Sequence, residues 1–305
     1  MSVAAVFPGQ GAQSVGMLAD LADQFPSVTE RFSEASDALG FDLWRMVQNG
    51  PAEDLSATQN TQPILLTASA AIWDAWQTVA PLPAFVAGHS LGEYSALACA
   101  GSLTFVDAVK LVRLRGELME AAVPRGQGAM AAIMGLDDEQ VVQCCTSVEG
   151  VVVAANFNAP GQVVIAGEAA AVERGAEACK SAGAKRAVML DVSGPFHSPL
   201  MEAAKEEFGA ALASTAIVMP DIPIVQNVTA DVPLDVEALR HNLLEQLAAP
   251  VLWSKSVQRM VDLGVDQFAE CGPGNVLAGL IRRIAKGLPT TGLSAPVAIT
   301  GNAGA

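Results

Sequence analysis

Residues 84–101 read Ala-Phe-Val-Ala-Gly88-His-Ser90-Leu-Gly92-Glu-Tyr-Ser-Ala-Leu-Ala-Cys-Ala-Gly101. A short apolar strand runs into a hard turn at Gly88–Gly92 and then into a helix closed by Gly101. This is the layout of a nucleophile elbow. Glycines two residues either side of the serine let strand and helix pack closely enough to strain the turn, which lifts the Ser90 hydroxyl clear and leaves the Leu91 amide facing it. The bare pattern arises by accident in a chain with 27 glycines. The strand before it and the helix after it make it specific.

With 305 residues, 51% of them hydrophobic and 16% charged, the chain can bury a full core as one large domain, or a large one with an insert. No apolar run approaches the roughly 20 residues of a membrane span, and no export or anchoring signal is read at the N-terminus. Five cysteines, at 99, 144, 145, 179 and 271, lack C-x-x-C spacing, so neither a disulfide framework nor a zinc site is expected and a cytoplasmic setting fits. A formal charge of −15 repels nucleic acid and anionic lipid, so any acidic partner must meet a local basic patch.

Strand-like and helical runs alternate through the first 125 residues, at 4–7, 64–76, 84–87, 93–100 and 107–122, which predicts an α/β fold with a parallel sheet. From Gly128 the order becomes βαββαβ, with strands at 129–134, 151–155, 162–166 and 185–190, helices at 137–147 and 169–182, and a turn at 158–161. That is the ferredoxin-like plan. It predicts a small domain, residues 127–193, inserted into a large one formed by 1–126 and 194–305. The stretch 288–305, rich in Thr, Gly and Ala, has no periodicity and is expected to be a flexible tail.

A serine nucleophile needs a base, and the chain has three histidines. His89 adjoins Ser90 at a sharp turn, where neighbouring side chains diverge, and is expected to brace the elbow. His241 lies in a polar helical run, as a solvated residue would. His197, in the Ser193-Gly-Pro-Phe-His197-Ser-Pro loop at the domain seam, remains. No carboxylate offers itself as a third member, so a backbone group is left to hold the imidazole tautomer. Arg115 falls within the apolar stripe of helix 107–122, among Leu111, Val112, Leu118 and Met119. An inward guanidinium requires an anion, either a buried acid of the chain or a substrate carboxylate, whose planar geometry it matches. The loop Phe7-Pro-Gly-Gln10-Gly-Ala-Gln13 exposes backbone amides, making Gln10 N–H a candidate second oxyanion donor beside that of Leu91.

The motifs Phe7-Pro-Gly-Gln-Gly11, Thr61-Gln-Pro63, Gly88–Leu97, Arg113-Leu-Arg-Gly116, Asn156-Phe-Asn-Ala-Pro-Gly-Gln162, Gly194-Pro-Phe-His197, Gln246-Leu-Ala-Ala-Pro250 and Gly272-Pro-Gly274, in this order, resemble those of the malonyl-CoA:acyl carrier protein transacylases. The likeness spans nearly the whole chain. It implies an α/β-hydrolase-like large domain, a ferredoxin-like small domain and a site in the groove between them. By motif it makes Ser90 the acylated nucleophile, His197 its base, Gln10 and Leu91 the oxyanion hole, and Arg115 the partner of the malonyl carboxylate. It further implies that the Gln246 carbonyl orients the histidine, that Gln62 and Asn158 line the groove, and that Phe196 crowds an α-methyl branch.

The activity so implied is ping-pong transfer of malonyl from malonyl-CoA to the phosphopantetheine thiol of acyl carrier protein, for fatty acid or polyketide synthesis, with no metal or other cofactor. A serine esterase or thioesterase would share the elbow and base and let water deacylate Ser90. A non-catalytic subunit that binds carrier proteins would have no use for the three groups together. Nothing in the sequence calls for more than a monomer. Basic residues able to meet an acidic carrier protein fall at Lys185-Arg186 and at Arg282-Arg283 with Lys286.

Overall fold

The computed structural model describes residues 2–301. Its central sheet is parallel, in the order β7-β2-β1-β8-β9, built from β1 (Val3–Phe7), β2 (Phe85–Gly88), β7 (Ile224–Val225), β8 (Gln267–Glu270) and β9 (Thr290–Gly292). The central β1, Val-Ala-Ala-Val-Phe, is buried from Ala4 to Phe7, as a strand covered by helices on both faces must be. Four helices between β1 and the next long one have no counterpart in the sequence reading: α1 (Ala19–Gln24), α2 (Ser27–Leu39), α3 (Leu43–Asn49) and α4 (Ala52–Ser56).

Helices α5 (Thr58–Gln77), α6 (Gly92–Cys99) and α7 (Phe105–Ala121) carry the elbow and the arginine. Pro63 sits inside α5 and offers no N–H, so the carbonyl four residues back, that of Gln59, accepts from Arg113 Nη1 of α7 at 3.1 Å instead. Closer still is Gly116, where a Cβ would stand 2.7 Å from Gln59 Cα. This intimate packing of α7 on α5 puts Arg115 beside Gln62.

A second, antiparallel sheet, β4-β5-β3-β6, comprises β3 (Gly128–Met134), β4 (Val152–Ala159), β5 (Gln162–Glu168) and β6 (Arg186–Met189), with helices α8 (Asp138–Thr146) and α9 (Ala169–Ser181). The strand order is the ferredoxin-like one. Period-two alternation buries both faces: Ala131, Ile133, Val163 and Ile165 pack under the two helices, while Met130, Ala132, Val164 and Ala166 join the core of the large lobe. β4 runs to Ala159, so the expected turn at 158–161 is confined to Pro160-Gly161. Two backbone bonds tie β4 to the large lobe, Phe157 N–H to Val251 O and Val251 N–H to Ala155 O, both 2.9 Å. The chain returns through a 3-10 turn (Pro199–Ala204) to α10 (Lys205–Ser214), α11 (Val236–Glu245), α12 (Trp253–Asp262) and α13 (Val276–Ile284).

One expectation is overturned. Of the supposed flexible tail 288–305, residues 290–292 form β9, paired in parallel with β8, and Pro296–Thr300 form a last short helix, α14. Leu293 and Ile299 are fully buried. A three-residue edge strand is too short to show a period, and it is the pairing with β8 that fixes it. Residues 302–305 lie outside those described. No helix among the described residues is long and apolar enough to cross a membrane.

Candidate active site

The turn between β2 and α6 is as tight as its glycines suggest. A Cβ on Gly88 would stand 1.9 Å from the Gly92 carbonyl carbon, and one on Gly92 would stand 2.0 Å from Phe7 O. Ser90 takes φ +53°, a conformation that costs a non-glycine residue on the order of 1–3 kcal/mol and persists only when its surroundings impose it. Here Asn227 imposes it. Its Oδ1 accepts from Ser90 N–H at 2.7 Å, and its Nδ2 donates to Gly88 O at 2.6 Å, so one side-chain amide spans the turn.

His197, also at positive φ (+59°) and 3% exposed, lies with Nε2 2.7 Å from Ser90 Oγ. Its Nδ1 is 2.8 Å from the backbone oxygen of Gln246. A carbonyl only accepts, so Nδ1 carries the hydrogen and Nε2 offers its lone pair to the serine hydroxyl. Burial, then the nearby Arg115 cation, pushes the imidazole down to about 3, which keeps it neutral across the physiological range. His89 is half-buried, its Nε2 2.7 Å from Asn158 Oδ1 and its ring edge-on to Trp253, so it joins the elbow to β4 rather than reaching Ser90 Oγ. His241 is exposed on α11.

Arg115 is fully buried. Its Nη1 donates to Gln62 Oε1 and its Nη2 to Gln246 Oε1, both at 2.9 Å; Nη2 also lies 3.3 Å from Ser90 Oγ. The guanidinium stands 5.3 Å from the Tyr94 ring centroid. No ion pair among the described residues includes it, and its Nε has no hydrogen-bond partner. The buried acid that would have made it a structural salt bridge is absent from its contacts.

Gln246 joins these groups. Besides its contacts with His197 and Arg115, its Nε2 donates to Ser90 O at 3.1 Å and to Glu93 Oε2 at 2.9 Å. Glu93, 1% exposed, also accepts from Asn227 N–H and Gln226 Nε2, each at 2.9 Å. Burial raises its carboxyl to about 7 against the pull of these donors. Glu93, Gln226, Asn227 and Trp253 escaped the sequence reading as site residues. For Glu93 a signal existed, since it follows Ser90 by three positions and so lies on the first turn of the helix behind it.

The Leu91 and Gln10 amides donate to no protein acceptor among the described residues. Gln10 is exposed, its side chain reaching Thr58 Oγ1 at 3.3 Å, and Thr58 in turn lies 2.7 Å from Ser193 Oγ. Asn158 is half-buried at the lobe junction. Gln62 differs from expectation: it is fully buried behind Arg115 and holds that side chain instead of lining an open groove. Phe196, 6% exposed, packs in the large-lobe core next to His197. No cluster of three or more His, Cys, Asp or Glu side chains able to hold a metal ion occurs among the described residues. Chemically, the site sets a hydroxyl against a neutral base, two free amides and a cation without an anion, an arrangement suited to transfer of an acyl group that bears a carboxylate.

The family model described as "Acyl transferase domain" matches residues 5–293. The malonyl CoA-acyl carrier protein transacylase of Salmonella typhimurium is 52% identical over 298 residues, 97% of this chain and 96% of that protein. The structure of an acyl carrier protein S-malonyltransferase from Vibrio cholerae O1 biovar eltor superposes with a TM-score of 0.96 at 50% identity, covering 99% of both chains. A structure described as a type II PKS acyl-carrier protein in complex with its malonyl-transacylase gives a TM-score of 0.97 at 49% identity, again over 99% of each.

Proposed function

This chain belongs to the acyl transferase family, and from that membership we propose that it moves malonyl from coenzyme A to the phosphopantetheine thiol of acyl carrier protein through an ester on Ser90, supplying fatty acid or polyketide synthesis. The observation that carries the reading is Arg115: a fully buried cation, held by two neutral amides, with one nitrogen 3.3 Å from the Ser90 hydroxyl and no carboxylate of the described residues paired to it.

In the first half-reaction Ser90 Oγ attacks the thioester carbonyl while His197 Nε2 takes its proton. Developing charge on the carbonyl oxygen falls to the amides of Gln10 and Leu91. Collapse expels the coenzyme A thiolate, which takes the proton from His197. In the second half-reaction His197 deprotonates the carrier thiol, the sulfur attacks the ester, and Ser90 leaves reprotonated. Thioester and ester interchange with no change of oxidation state, so the chemistry asks for no redox partner, and His197 and the two amides carry its proton and charge movements. Arg115 receives the malonyl carboxylate and fixes the direction of the carbonyl. That carboxylate also offsets the positive field which, after burial, depresses His197, so docking of the correct acyl group makes the base more basic. Phe196 limits the space next to the base for an α-branch.

The carrier-bound neighbour supports an acyl carrier protein as partner. Its docking surface is proposed at Lys185 and Arg186, both exposed and in no ion pair among the described residues. Arg283, by contrast, is engaged across the lobes with Pro160 O at 2.9 Å and with Gln162 Oε1. Five free cysteines suit a reducing cytoplasm, and the enzyme is proposed to act as a monomer. Intact-mass measurement after mixing with malonyl-CoA tests the transfer. One malonyl on Ser90 that survives in water and disappears when holo carrier protein is added is expected; free malonate with no lasting adduct would make the chain a hydrolase.

A further inference from the structure

Beneath the Ser90 turn lie two buried charges, Arg115 at 0% and Glu93 at 1% exposure, and neither touches a group of opposite sign. The guanidinium donates to Gln62 Oε1, Gln246 Oε1 and Ser90 Oγ. The carboxylate accepts from Gln226, Asn227 and Gln246. The one side chain they share is the amide of Gln246, its oxygen 2.9 Å from the cation and its nitrogen 2.9 Å from the anion. An uncompensated buried charge is strongly disfavoured, and here the dipole of a single amide spans a split ion pair.

The direction of that amide is forced. Reversed, it would turn an NH2 toward the guanidinium and an oxygen toward both the Glu93 carboxylate and the Ser90 carbonyl, which now accepts from Gln246 Nε2 at 3.1 Å. Donor would face donor, and acceptor would face two acceptors. A carboxylate bound directly to Arg115 would compete with an incoming acyl carboxylate; no anion at all would leave the cation without compensation in the empty enzyme. One amide away, Glu93 offsets the charge and leaves Arg115 Nε without a protein partner.

We propose that Glu93 is a positioning residue for malonyl transfer: through the Gln246 amide it holds the Arg115 guanidinium against the Ser90 hydroxyl, ready for the carboxylate of the acyl group. This rests on the reading of Arg115 as the malonyl-docking cation. Glu93 also bonds the Asn227 backbone, so its loss can slow acylation by any donor; the diagnostic quantity is therefore the ratio of malonyl to acetyl single-turnover acylation of Ser90, not either rate alone. Measured at about pH 8.5, where a carboxyl raised to about 7 is ionised, E93Q, which keeps the shape and removes the charge, is expected to lower that ratio about tenfold in the otherwise wild-type enzyme and less than twofold in a Q246M background, where the bridging amide is gone. E93D, which keeps the charge and withdraws it by one methylene, is expected to lower the ratio as well and serves if E93Q does not fold. The proposal is overturned if both donors slow equally in E93Q or E93D, or if the ratio falls as far in Q246M as in the wild type. R115A separates the levels: loss of malonyl preference in R115A with none in E93Q sinks this inference alone, whereas an R115A enzyme that still prefers malonyl sinks the docking reading beneath it.

Discussion

Among the described residues, every hydrogen bond of Ser90, His197 and Arg115 ends on elements around the five-stranded sheet, while the four-stranded sheet reaches the turn once, through Asn158 to His89. The two lobes are held together differently as well. Apolar residues bury both faces of the small sheet, whereas the ground beneath the elbow is a network of Glu93, Gln226, Asn227, Asn242 and Gln246 in which each amide has a fixed direction. Apolar packing tolerates a change of shape if volume is kept. A buried polar network tolerates little, since each broken bond strands a group away from water. The large lobe is accordingly suited to charge and proton movement, and the small lobe to shaping the groove.

If this division holds, damage should scale with the lobe that is struck. His197→Ala heads the order: single-turnover acylation of Ser90 should fall by about 10³-fold, since a positioned general base contributes roughly 10²–10⁴; a loss under tenfold would mean another base serves Ser90. Next comes a stability effect confined to the network. Glu93 titrates near 4.5 when exposed and about 7 in the folded protein, so the native state binds that proton more tightly and loses stability as pH rises between those values. His197, depressed to about 3, works in the opposite sense, its contribution being present above about 6.5 and lost as pH falls towards 3. E93Q removes only the first of these, so its stability relative to wild type should improve from pH 4.5 to pH 7 by on the order of 2–3 kcal/mol. Denaturant melts at both pH values measure it, and a difference that does not change with pH would contradict the buried carboxylate.

Small-lobe changes should be milder. Asn158→Ala removes one hydrogen bond to a half-buried histidine and should cost about 1 kcal/mol in acylation or stability; a loss comparable to that of His197→Ala would erase the distinction between the lobes. Reversing Lys185 and Arg186 to glutamate should leave malonyl-CoA acylation unchanged and slow discharge to holo carrier protein several-fold at low salt, the effect shrinking as salt is added. An unchanged discharge rate would move the docking surface elsewhere.

The same contrast explains what was legible in the sequence. Ser90 was readable because its turn is local: strand, two glycines and helix are contiguous. His197 followed from there being three histidines to choose among, and Arg115 from a cation within an apolar stripe. Gln226 and Asn227 were not, because their burial is created by the approach of a segment more than a hundred residues away, and polar residues on short elements carry no period. Glu93 carries a positional signal, three residues after Ser90, but the burial of its carboxylate is made by those same distant segments. β9 was missed for the same reason, its three residues ordered by β8 and not by their own pattern. Helix α2, with Val28, Phe32 and Ala35 buried at helical spacing, did carry a readable signal.

The central claim is that the unpaired Arg115 selects an acyl group by its carboxylate. It is tested most directly by single-turnover labelling of Ser90 with malonyl-CoA and with acetyl-CoA in wild type and R115A. Malonyl transfer should weaken by roughly 2–5 kcal/mol, as truncation of one partner of a buried charge pair does, with acetyl transfer little changed. Equal losses for both donors would contradict the account.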